Sequence, residues 1–95
     1  SKFQLEQANL DLEAAVYQAY NDAKNAKQAF NAATKTANAR EQAFEYINNR
    51  FVLGVINSFD FNQSKIQFEN AQADVVRTKY DYIFRLKILA LFCFR

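Results

Sequence analysis

With 95 residues, the chain has room for one small domain and not for two. It has no histidine, no proline, a single glycine and a single cysteine, Cys93, so neither a disulfide framework nor a Cys/His metal site can be drawn from it. A formal net charge of +2, with Lys and Arg interspersed among Asp and Glu, leaves no basic stripe of the kind a nucleic-acid partner requires.

No secretory leader pattern is visible, and the opening on Ser1 rather than methionine is what a processed or excised piece would show. From about Lys2 to Leu53 the composition is rich in Ala, Gln, Glu, Lys and Asn, with no β-branched run, which favours helix. The apolar positions there fall in two interleaved seven-residue series. One is Leu5, Leu12, Ala19, Ala26 and Ala33; the other is Val16, Ala23, Phe30, Ala37, Phe44 and Phe51. Alternating steps of four and three are the seam pattern of a left-handed coiled coil. Alanine at so many seam positions lets a partner helix approach closely, with Phe30, Phe44 and Phe51 as larger knobs. A helix of this length would be roughly 75 Å long and belongs to an extended rod.

The stretch Arg50 to Asp60 divides the chain. Gly54 can take positive φ without steric cost and is a natural helix stop. Asn57 can cap a second helix, and Asp60 puts a carboxylate beside that helix's positive end. The second helix runs from about Ser58 to Phe92, leaving a tip turn at about 54–57. Its seam is Phe61, Phe68, Val75, Tyr82 and Leu89, with Ala71 and Phe92 at alternate positions. Val76, Ile83, Leu86 and Ala90 form a further stripe beside it, which implies more than one packing neighbour and hence a larger helical assembly. The run Leu86 to Phe94 contains Lys87 and is far too short to cross a bilayer as a helix. The expected fold is all-α: one long antiparallel helical hairpin over residues 1–95, paired as a coiled coil.

The residues of the turn and the second helix carry a resemblance. Arg50-Phe51-x-x-Gly54-x-x-Asn57-x-x-Asp60, followed by Ala71, Tyr80, Asp81-Tyr82 and Leu86, resembles the TolC-like outer-membrane efflux proteins, from about Leu10 to Leu89. The resemblance implies the hairpin of the second repeat in a trimeric channel. There a β-barrel in the outer membrane of a Gram-negative bacterium continues as an α-helical barrel through the periplasm. This chain would be a fragment unable to form a channel alone, touching the membrane only through the missing β-barrel. Its tip turn would lie where the channel closes and where the periplasmic adaptor (membrane fusion) protein docks, in series with an inner-membrane pump. The residues so implicated are Arg50, Phe51, Gly54, Val55, Ile56, Asn57, Phe59, Asp60 and Gln63.

The chain also departs from the family pattern. Phe51 stands where the family gate has an aromatic hydroxyl, Ile56 where it has an Arg, and Gln63 where it has a second acidic residue. The polar latch is therefore reduced to Asp60, and closure would rest on apolar packing by Phe51, Val55, Ile56 and Phe59. Taken one by one, Gly54, Asn57 and Asp60 read as ordinary stop, cap and first-turn residues. Phe51, Phe59 and Phe61 read either as core or as an exposed docking patch. No catalytic group, metal site or cofactor is expected, since the acids are scattered, no histidine offers a base and no Gly-rich loop could hold phosphate. The alternative is a soluble coiled-coil interaction or structural hairpin with no transport role.

Overall fold

A computed structural model describes residues 1–94 as two antiparallel helices, α1 (Lys2–Val52) and α2 (Ser58–Cys93), in a rod of 78 × 19 × 13 Å. No strand occurs among the described residues. α1 opens on a capping box in which Ser1 and Gln4 exchange side-chain and backbone bonds. It then runs without a glycine or proline to break it.

Ring contacts fix how the helices face each other. Phe51 stacks on Phe61 with centroids 4.3 Å apart, Phe44 lies 5.7 Å from Phe68, and Phe30 lies 6.5 Å from Tyr82. Each step down α1 is therefore matched by a step up α2. Between the aromatic layers the seam narrows to small side chains. Ala19, Ala23, Ala26, Ala33 and Ala71 are the buried apolar residues. Among the described residues no large side chain is fully buried, because two helices make only one layer of contact.

Three seam positions on α2 are polar: Ser64, which is half-buried, Thr78 and Arg85. Thr78 is only 4 % exposed, and its hydroxyl donates to the carbonyls of Asp74 (2.7 Å) and Val75 (3.0 Å), so no buried polar group is left unpaired there. Arg85 sits one turn of seven beyond it and reaches Asp22 across the seam at 3.5 Å and Asp81 on its own helix at 3.7 Å.

The seam does not run the full length of α1. With 51 residues against 36, α1 outreaches α2, and Leu5 and Leu12 are 65 % and 38 % exposed. They continue the seven-residue series of the sequence but have no helix opposite them. The lateral stripe of Val76, Ile83, Leu86 and Ala90 is likewise uncovered. Among the described residues no helix is long and apolar enough to cross a membrane.

Candidate functional site

The turn at the closed end of the hairpin is built from backbone bonds. Leu53 caps α1 in the right-handed region, and Gly54 follows at φ +77°. The Gly54 N–H donates to the Phe51 carbonyl (3.0 Å) and the Val55 N–H to the Arg50 carbonyl (2.9 Å). These two bonds, one inside the other, are the Schellman arrangement that closes a helix over a left-handed residue. Three residues on, extended Asn57 accepts the Asp60 N–H on its side-chain oxygen at 2.8 Å and starts α2. The stop of α1 and the start of α2 are thus each closed by their own hydrogen bonds, and no side chain of the turn other than Asn57 is needed for them.

They are mostly apolar and mostly in water. Val52 and Leu53 are each 76 % exposed, Phe59 72 % and Val55 64 %, while Ile56 is half-buried. Phe51 gives one ring face to Phe61 and keeps the other at the surface. Phe61 itself is half-buried between Phe51 and Phe44, 5.5 Å from the latter, so it belongs to the seam and not to an exposed patch. Phe59 points the other way. With Gln63 and Ile66 it lines a shallow open groove on the outer surface of α2, Phe59 and Ile66 standing seven residues apart on one ridge.

The charged groups of the turn stand apart. The Arg50 guanidinium lies over the Tyr46 ring, 4.5 Å from its centroid. The Asp60 carboxylate is exposed and makes no ion pair or hydrogen bond among the described residues. It is not the reciprocal half of a capping box, so it acts on α2 only as a charge near the helix start. Arg50 and Asp60 do not pair with each other. Among the described residues no cluster of three or more His, Cys, Asp or Glu side chains could hold a metal ion.

All nine residues singled out in the sequence therefore lie on or beside one turn. Gly54 and Asn57 shape it, Phe51 joins it to the seam, and Val55, Phe59, Asp60 and Gln63 present outward. Val52, Leu53 and Ile66 were not among them, although the first two are the most exposed apolar side chains of the turn. Their signal was available: they are apolar but out of phase with the seven-residue series that ends at Phe51. The chain matches the family model described as outer membrane efflux protein over residues 1–90. No curated protein and no solved structure matches it.

Proposed function

The chain belongs to the outer membrane efflux protein family, and from that premise we propose that it is a hairpin of the periplasmic α-helical wall of an efflux channel. Its turn then lies at the periplasmic mouth, contributing to closure at rest and receiving the adaptor protein when the pump assembles. The carrying observation is the exposed apolar cap of Val52, Leu53, Val55 and Phe59 on a turn whose helix stop and helix start are closed by other groups. Such a cap is costly in water, and clustered exposed apolar side chains of this kind mark a contact surface. The uncovered stripe of Val76, Ile83 and Leu86 supports the same reading, since a barrel wall gives each hairpin lateral neighbours. Closure would be apolar, because Ile56 and Gln63 bring no charge and Asp60 alone supplies an acidic group, one copy from each subunit of a trimer.

The test places Leu53→Asp and Val55→Asp together in the full-length protein. Export and adaptor cross-linking should both fall at least about tenfold, the effect of losing little more than 1.4 kcal/mol of contact, while outer-membrane level and trimer stay unchanged. Undiminished export would leave the turn a structural cap and favour a hairpin without a docking role.

A further inference from the structure

The two helices form a flat ribbon with two faces, and their charges are arranged differently. On one face the charges answer each other: Arg77 lies 2.7 Å from Asp74, and Arg85 serves Asp22 and Asp81. On the other, Lys24, Lys27 and Leu86 line one cleft beside the seam, and Glu41, Gln72 and Val76 line another. Steps of seven extend that second face along both helices, from Lys24 to Glu45 and Lys27 to Glu41 on α1, and from Glu69 through Val76 to Ile83 and from Gln72 through Lys79 to Leu86 on α2.

Seven charged side chains on this face are exposed and form no ion pair among the described residues: Lys24, Lys27, Lys79, Glu41, Glu45 and Glu69, which make up two blocks, and Lys65. On α1 these lysines precede these glutamates in the sequence, and the fold adds one charge of α2 to each block. By the register of the ring pairs, Lys79 lies level with Ala33 and Glu69 level with Ala43. The lysines therefore gather on the half away from the turn and the glutamates on the half near it, their centres roughly 20 Å apart at 1.5 Å per residue. Lys65, level with Ile47, is the one base in the acidic half and leaves that half still net negative. Val76, 52 % exposed, lies between the two blocks, level with Thr36.

A face that is basic at one end and acidic at the other, with Val76 between, complements itself only when turned end over end. We infer that two copies of this chain pair through this face, antiparallel, about a two-fold axis at Val76. Each lysine block then meets the glutamate block of the second copy, and the uncovered Val76, Ile83 and Leu86 leave water. A parallel pair through the same face sets lysine against lysine and glutamate against glutamate, which is repulsive. The overlap runs from about the level of Tyr20 to the turn, roughly 45 Å at 1.5 Å per residue, and the ribbon is 19 Å wide. That is about 1,700 Å² for both copies together, within the range of specific interfaces. The inference goes beyond the channel reading and does not rest on it. A wall with every turn at the same end cannot contain this pair, so it is a state of the free hairpin.

Single-cysteine chains test the geometry in a Cys93→Ser background. Oxidised Val76→Cys should give a disulfide dimer and Ile83→Cys should not. Dimers from both mean parallel pairing, dimers from neither mean no such interface, and either result overturns the inference. Charge exchange tests the chemistry by sedimentation. Lys24→Glu/Lys27→Glu/Lys79→Glu and Glu41→Lys/Glu45→Lys/Glu69→Lys should each raise the dimer dissociation constant at least about tenfold, while an equimolar mixture of the two restores a dimer. The mixture remaining monomeric would overturn the inference. Should a triple variant lose helicity, the cross-linking arm decides alone, because it leaves all six block charges in place.

Discussion

Replacing Gly54 tests the turn on which the hairpin depends. At φ +77° an L-residue is strained, and a Cβ built there meets no atom within 4 Å, so the cost is conformational and not a clash. An L-residue in the left-handed region costs about 1–2 kcal/mol, with β-branched residues at the upper end. Removing glycine also stiffens the unfolded chain and returns about 0.4–1 kcal/mol. If the residue leaves that region instead, the 3.0 Å and 2.9 Å bonds that close α1 are lost, each contributing about 0.5–1.5 kcal/mol. Either route gives Gly54→Val a net loss of about 1–2 kcal/mol, a fall in Tm of about 4–16 °C for a chain of this size. Gly54→Asn should lose less, since asparagine tolerates this geometry. Thermal melts followed by circular dichroism, at one fixed concentration because association shifts Tm, provide the readout. An unchanged Tm for Gly54→Val, or equal losses for Val and Asn, would refute a left-handed stop at this position.

The two phenylalanines beside the turn should behave oppositely. Phe61→Ala removes a ring stacked between Phe51 and Phe44 and should cost about 2–3 kcal/mol, below the range for a fully buried ring because the site is half-buried. Phe59→Ala, at 72 % exposure, should stay within about 0.5 kcal/mol in the same melts. In the full-length channel, Asp60→Asn should shift the reversal potential in a salt gradient toward lower cation selectivity while the Tm hardly moves. A lower Tm with unchanged selectivity would reduce Asp60 to a charge at a helix start.

The hairpin was legible because three local signals agree: an unbroken heptad on each side, a lone glycine between them, and a capping Asn three residues later. Which seam positions are buried was less legible. Leu5 and Leu12 belong to the same series as Ala19 and Ala26 yet stand in water, because periodicity records a face and not the length of the helix opposite. Thr78 and Arg85 were passed over as polar, although they continue the α2 seam. The threonine hydroxyl finds carbonyls of the preceding turn, and the Arg85 side chain keeps its head at the edge between two aspartates. Apolar pattern alone cannot see a polar group that brings its own partners or carries its charge out of the seam.

The turn was legible in its backbone and only partly in its surface. Gly54 and Asn57 announce themselves by what they let the main chain do. Phe59 and Phe61 have identical side chains two residues apart, and on a helix that spacing sends them to different sides. Only the partner helix decides which is core: Phe61 meets Phe51 and Phe44, and Phe59 pairs with no ring of α1 and is 72 % exposed. Val52 and Leu53 share that logic, since the α1 seam ends at Phe51 and both side chains beyond it are 76 % exposed. An apolar residue that falls outside the heptad phase and lies next to a satisfied turn is therefore better evidence of an external contact than any seam aromatic. On this chain that criterion selects Val52, Leu53, Val55 and Phe59, and the docking variants and the Phe59→Ala melt address the last three directly.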